Sequence, residues 1–503
     1  MKMILSDEGL RERGIWESKG YILPKYDRKK MTEETVAHPR WAHFGAGNIF
    51  RAFHAAAAEK LLDEGAMTSG ITVIEGYDTD IIDKIYRPYD NLSVAVTLRC
   101  DGSVEKKVIG SVGESCILDE TNDKEYSRIR EIFRAPSLQL VTFTITEKGY
   151  ATFGKKIADL MYERFLSGAH PVALVSTDNC SHNGDRLKES IAGFARKGEE
   201  SGIYENGFCE YLLDHKKVSF PWSMIDKITP RPDEGIAGIL EGDGLTGIEA
   251  VRTAKDTFIA PFVNAEECEY MVIEDDFPAG RPPLEKAGFI FTDRDTVDRV
   301  ERMKVCTCLN PLHTALAVFG CLLGYTKISE EMKDEDLKRL VMRIGYGEGL
   351  PVVTDPKVID PKEFIDTVIN VRLPNPFMPD TPQRIATDTS QKLPIRFGET
   401  IRSYMASGRG TDDLRMIPLV FAGWLRYLTA VDDNGDEFEP SPDPLLEKVS
   451  RYVKDIEPLL RNSTIFGVDL YEASLADRVK EYFEKLSSGK GAVRRTLREE
   501  VWN

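Results

Sequence analysis

Lys304, Asn310 and His313 fall within one apolar-periodic stretch, Met303-Lys-Val-Cys-Thr-Cys-Leu-Asn-Pro-Leu-His-Thr-Ala-Leu-Ala317. Asn310 and His313 stand three positions apart and so share a helical face. A lysine that is desolvated and flanked by other cations can exchange a proton near neutral pH. An asparagine amide can donate to an oxygen that gains negative charge. Together these side chains suit acid/base work at a carbonyl or secondary alcohol. On an amphipathic helix they equally suit a solvated polar face.

A second constellation is His43-Phe-Gly-Ala-Gly-Asn-Ile-Phe-Arg-Ala-Phe-His54, placed after the first β-rich run and opening a helical one. Gly45 permits a tight turn, and Gly47 lets the backbone approach a pyrophosphate held at a helix amino terminus. Phe50 stands where a third Gly or Ala is usual, and Arg51 is placed to meet a phosphate. Ribose hydroxyls then require an acid after the second strand. Glu75 in Ile71-Thr-Val-Ile-Glu-Gly-Tyr-Asp78 is the first candidate and Asp78 the second. Such an acid disfavours a 2′-phosphate, so NAD is expected rather than NADP. The alternatives are a plain strand-helix turn and an acidic turn facing solvent.

Other chemistries lack their residues. There is no HExxH and no Cys/His grouping with zinc spacing, so no metal is expected. A P-loop and a GxSxG elbow are also missing. Tyr26 and Lys30 have the short-chain dehydrogenase spacing but precede the glycine turn. The 66 basic and 83 acidic residues leave a net charge of −17, which disfavours nucleic-acid and anionic-membrane partners. The amino-terminal run turns polar after Leu5, and the longest apolar run, Thr314 to Tyr325, is short for a membrane span. Eight scattered cysteines without a CxxC pair read as core thiols of a reducing compartment, so a cytoplasmic protein is expected.

The elements that must carry these residues follow from length and pattern. A chain of 503 residues calls for more than one domain. Its first 290 or so residues alternate β-rich runs with amphipathic helices, as in a parallel sheet covered by helices. Strands are expected over 40–44, 71–75, 138–146 and 171–179, with ligands beyond their carboxyl ends. The Pro- and Gly-rich stretch Asp276-Phe-Pro-Ala-Gly-Arg-Pro-Pro283 reads as a connector. Beyond it, Val297, Val300, Met303, Leu312, Leu316 and Phe319 recur with helical periodicity. An α/β Rossmann-type domain over 1–293 and a mainly α-helical domain over 294–503 are therefore expected. Asn179 closes the apolar strand Val172-Ala-Leu-Val-Ser-Thr, ahead of an Asn-Gly turn and a helix from about Asp185.

The ordered motifs resemble the polyol-specific long-chain dehydrogenases, the mannitol dehydrogenase family, over nearly the whole chain. They are Gly45-Ala-Gly-Asn-Ile-Phe-Arg51, Thr144-Ile-Thr-Glu-Lys-Gly-Tyr150, Ser176-Thr-Asp-Asn-Cys-Ser-His-Asn-Gly184 and Met224-Ile-Asp-Lys-Ile-Thr-Pro230. They continue with Val272 to Pro282, Lys304 to His313, and Arg384 through Asp388 and Ser390 to Lys392.

The resemblance implies a metal-independent NAD enzyme whose two domains enclose the substrate. It implies Lys304 as acid/base and Asn179 with Asn310 as the pair that polarises the reacting carbonyl. It implies His313, Arg384 and Lys392 at the substrate, and Asp226 near the nicotinamide. A small-molecule sugar acid or polyol is the expected partner. Gly47-Asn48 resembles the uronate-reducing members, and Arg384 with Lys392 suits a carboxylate. Reduction of D-fructuronate to D-mannonate is thus expected, with fructose/mannitol and tagaturonate open within the family. An inactive NAD-binding regulator is the reading from another class.

The resembled pattern spaces lysine and asparagine by five positions, and here the spacing is six. One inserted residue turns a side chain by about 100° on a regular helix. A π-bulge between Lys304 and Asn310 is therefore expected to return the lysine to its face.

Overall fold

The computed structural model describes residues 2–503, without the side chains of Glu147 and Lys148 in the Thr144 to Tyr150 motif. The chain divides into two compact units, Met1–Arg99 with Ser103–Asp298, and Cys100–Gly102 with Arg299–Asn503.

In the first unit, six strands form one parallel sheet. They are Trp41–Phe44 (β1), Ile71–Glu75 (β2), Val112–Ile117 (β3), Leu140–Phe143 (β4), Val172–Ser176 (β5) and Val218–Ser219 (β6). Their spatial order is β3-β2-β1-β4-β5-β6. Every residue of β1, β2, β4 and β5 is buried, because helices cover both faces of such a sheet. Trp41 and Val73 pack with Phe50, Ala55 and Leu61 in one cluster. Phe44, Ile74 and Val141 pack with Ile132, Phe133 and Ile157 in the other. The order reverses at β1 and β4, which opens a crevice beyond their carboxyl ends.

Two expectations need correction. Asn183-Gly184 is not a turn: the helix Asn183–Glu200 begins there. The Asn183 side chain is fully bonded, donating to Asp178 O and Ser223 O and accepting from Ser223 N, each at 3.0 Å. Nor does 276–283 join the two units, because the chain afterwards adds Ile290–Thr292 in parallel to Tyr270–Glu274 within the first unit. The Arg281 guanidinium stacks 3.4 Å over the Phe291 ring and holds this loop down.

The amino-terminal arm is fastened beneath the glycine-turn helix by Glu59. This fully buried carboxylate accepts from Tyr26 Oη at 2.8 Å and Gly110 N at 2.7 Å, and burial pushes its pKa up to about 7. The folded state thus holds the proton more tightly than an unfolded chain at 4.5. Stability from this group is complete below pH 4.5 and is lost as pH rises through 7. Glu59→Gln keeps an acceptor without the charge. It should raise stability at pH 8 by about 2–3 kcal/mol and leave it unchanged at pH 4, read as urea midpoints.

The second unit is helical, with one isolated bridge between Val431 and Glu437 among the described residues. Val297, Val300, Met303, Leu312, Leu316 and Phe319 are all buried, as their periodicity requires. By length and composition the helical stretch Arg294–Leu322 is able to cross a membrane, but 78% of its apolar window is buried inside the protein. The stretch is interrupted where the spacing anticipated. Lys304–Cys308 is a π-helical segment, closed by a bond from Leu309 N to Lys304 O at 3.1 Å, and Asn310–Leu322 resumes as α-helix.

Candidate active site

A cavity of about 550 Å³ occupies the crevice of the first unit. Gly45 and Gly47 line it after β1, Glu75 to Asp78 after β2, and Thr144 to Thr146 after β4, with Lys156 and Thr257 at its wall. Gly45 has φ +108°, and a Cβ there would stand 2.5 Å from Thr144 O. Gly45→Ala therefore combines backbone strain of about 1–3 kcal/mol with a clash against fixed backbone. A lower thermal midpoint and loss of NADH binding are expected, read by melting and fluorescence titration. At Gly47 a Cβ would meet no protein atom within 4 Å, so glycine there leaves room on the cavity side rather than relieving a clash.

Phe50 explains its own departure from the glycine pattern. It stacks on His43 with ring centroids 4.2 Å apart, and the helix accommodates this bulk with a π segment, Phe50–His54. His43 is locked by Thr142 Oγ1 at 2.6 Å and Thr144 Oγ1 at 2.9 Å, which ties β1 to β4. Arg51 is not where a phosphate contact would need it. Its guanidinium is buried, donating to Ala260 O at 2.7 Å and to Asn48 Oδ1 at 2.8 Å. Arg51 thus positions Asn48 at the helix start. The cavity-lining cation is Lys156, on Glu147–Leu166, which no motif had singled out.

Glu75 faces the cavity, yet its carboxylate also organises the backbone. Oε2 accepts from Ala46 N at 2.8 Å, inside the glycine turn, and Oε1 from the amides of Gly76, Tyr77 and Asp78 at 3.0, 2.8 and 3.1 Å. Asp78 is buried and accepts from Thr253 Oγ1 at 2.7 Å. The two acids are thus fixed before any ribose arrives. The residues present fit a dinucleotide: a glycine turn with space beside Gly47, a helix amino terminus at Asn48, and acids at the end of β2.

Past β5, Asp178 braces the next loop. It accepts from Thr146 N at 2.9 Å and Tyr150 Oη at 2.9 Å, and so holds Thr146 at φ 62°, ψ 160°. A non-glycine residue pays strain in this region, and such strain gathers at functional sites. Neither Asp178 nor Tyr150 was anticipated as a brace. Asn179 follows and is exposed, while Asp226 ends the strand Ser223–Asp226 and is buried.

The second unit gathers the remaining candidates. Lys304 is buried on its π segment. The half-buried Asn310 starts the following helix, and its amide makes no hydrogen bond among the described residues. His313 Nε2 lies 3.4 Å from Asp380 Oδ2, outside hydrogen-bond geometry, so this buried nitrogen makes no hydrogen bond among the described residues. Burial first, then the cations Arg396, Arg384, Arg372 and Lys392, lower the His313 pKa to about 3, so its imidazole is neutral at working pH. A neutral histidine with an orphaned Nε2 suits a ligand hydroxyl.

Arg384 is ion-paired with Asp380. Lys392 donates to Ile385 O at 3.2 Å and to Thr387 O, and burial with Arg396 nearby lowers it to about 8. A larger surface groove of about 740 Å³ lies among Arg402, Met405, Arg461 and Glu472 and holds none of these candidates. No group of three or more metal-ligating side chains occurs among the described residues.

Residues 39–286 match the mannitol dehydrogenase Rossmann domain and residues 296–487 the mannitol dehydrogenase C-terminal domain. The chain is 49% identical to D-mannonate oxidoreductase of Thermotoga maritima, over 99% of each chain. Among solved structures it is similar in fold to Pseudomonas fluorescens mannitol 2-dehydrogenase in complex with NAD and D-mannitol. That likeness has a TM-score of 0.68 and 24% identity, over 99% of each chain. It is also similar to a substrate-free D-sorbitol dehydrogenase, with TM-score 0.78 and 23% identity over 94% of this chain and 97% of that one.

Proposed function

Because the chain belongs to the mannitol dehydrogenase family, we propose that it is an NAD-dependent, metal-independent oxidoreductase that reduces D-fructuronate to D-mannonate. The whole-length likeness to a D-mannonate oxidoreductase carries the choice of substrate. We assign the cofactor to residues 1–293, the substrate to 294–503, and the protein to the cytoplasm.

The glycine turn and the amino terminus of its helix would hold the pyrophosphate, with Asn48 kept in place by Arg51. Glu75 and Asp78 stand where the adenosine ribose would lie and disfavour a 2′-phosphate. The nicotinamide, when bound, would supply the hydride that the ketone carbon receives. Asn310 and Asn179 donate to the carbonyl oxygen as it gains charge, and the Lys304 ammonium delivers the proton that completes the alcohol. In the oxidative direction the Lys304 amine takes that proton. His313 offers its neutral Nε2 to a substrate hydroxyl.

D-mannonate with NAD should produce NADH, with D-fructuronate as the product seen by NMR. Oxidation of D-mannitol in its place would reassign the substrate, and a preference for NADP would overturn the role given to Glu75 and Asp78.

A further inference from the structure

Arg396 lies in the π-helical segment Pro394–Gly398 of the second unit. Its guanidinium donates to Thr314 Oγ1 at 2.5 Å, and Thr314 Oγ1 in turn donates to Asn310 O at 2.9 Å. It is foremost among the cations that act on His313. It is half-buried, and desolvation lowers its pKa to about 10, with no acid acting in the other direction. Among the described residues it has no ion pair. Glu399, the nearest acid along the chain, is taken by Arg402 at 2.6 Å and Arg302 at 3.8 Å. The neighbouring cations differ: Arg384 is paired with Asp380, and Lys392 feels Asp388 and Asp443.

A half-buried guanidinium without a carboxylate carries a desolvation cost, and removing it relieves that cost. Its retention calls for an anionic ligand. We propose that Arg396 is the carboxylate-recognition residue of the substrate site, and that it separates sugar acids from neutral ketoses and polyols. Thr314 is one helical turn beyond Asn310, about 6 Å along the axis. That rise is comparable to the run of carbon between the ketone and the carboxylate of an open-chain uronate. A planar fork with one arm on Thr314 leaves its other N–H groups for a carboxylate. Arg384 and Lys392 suit a carboxylate by residue type, but the first of them is ion-paired with Asp380. Fructuronate and tagaturonate are both acids of this length, so Arg396 admits either.

This inference rests on the sugar-acid reading, and the test separates the two. Full-length wild type, Arg396→Gln and Arg396→Lys are assayed for NADH-dependent reduction of D-fructuronate and D-fructose, with calorimetric binding of D-mannonate to the NADH-loaded protein, which cannot take hydride from it. In R396Q the KM for fructuronate should rise about 10–100-fold, as expected for losing hydrogen bonds to a charged group. The loss in kcat/KM with fructuronate should exceed the loss with fructose by at least about tenfold, and R396K should recover part of it. The melting midpoint of ligand-free R396Q should equal or exceed that of wild type. Equal losses on both substrates, or none, in a wild type that reduces fructuronate would overturn the carboxylate role alone. A wild type that neither reduces fructuronate nor binds D-mannonate would overturn the sugar-acid reading and this one with it.

Discussion

Lys304→Ala should lower kcat for ketone reduction by about 10²–10⁴-fold, the usual contribution of a positioned acid or base, and leave NADH affinity unchanged. The lysine is buried on the π segment Lys304–Cys308 of the second unit, and the crevice residues assigned to the cofactor belong to the first, so truncation should spare dinucleotide binding. Lys304→Arg supplies the control for charge alone. Its guanidinium keeps the cation but holds its proton to far higher pH, so it should not restore turnover. A K304A enzyme with near wild-type kcat would remove lysine as the acid. A K304R enzyme with full activity would reduce the residue to an electrostatic one.

Asn310→Ala should cost about 10²–10³ in kcat with KM little changed, the pattern for a donor whose bond strengthens as the oxygen gains charge. Asn310 begins its helix with a side-chain amide that makes no hydrogen bond among the described residues, so alanine breaks none of those bonds. Asn310→Asp should be worse than alanine, since a carboxylate would oppose the developing alkoxide. Asn179→Ala should show the same pattern. A rise in KM alone would instead make these residues simple binding contacts.

The parts of this site that were legible in the sequence are those where chemistry constrains the backbone. Gly45 is required by a positive φ and by Thr144 O, and a glycine pattern registers both. The extra residue between Lys304 and Asn310 had a geometric remedy, and a π segment stands there.

What escaped depends on contacts between distant parts of the chain. Arg51 looked placed for a phosphate, but its partner is the carbonyl of Ala260, 209 positions away. Glu75 was visible as an acid; that it also clamps the glycine turn through Ala46 N was not. The outer strands β3 and β6 are interrupted by Gly113 and Glu114 or reduced to two residues, too little for a periodic signal. Arg396 belongs to no motif. Its meaning lies in being half-buried without a counter-ion among the described residues, which only the folded chain displays.

The values of kcat/KM for NADH-dependent reduction of D-fructuronate, D-tagaturonate and D-fructose under one condition decide whether the chain is a fructuronate reductase. D-fructuronate should lead, and D-fructose should trail it by about 10²-fold, the discrimination that one charge-assisted contact supplies. A preference for D-fructose, or no turnover with any of the three, would contradict that activity.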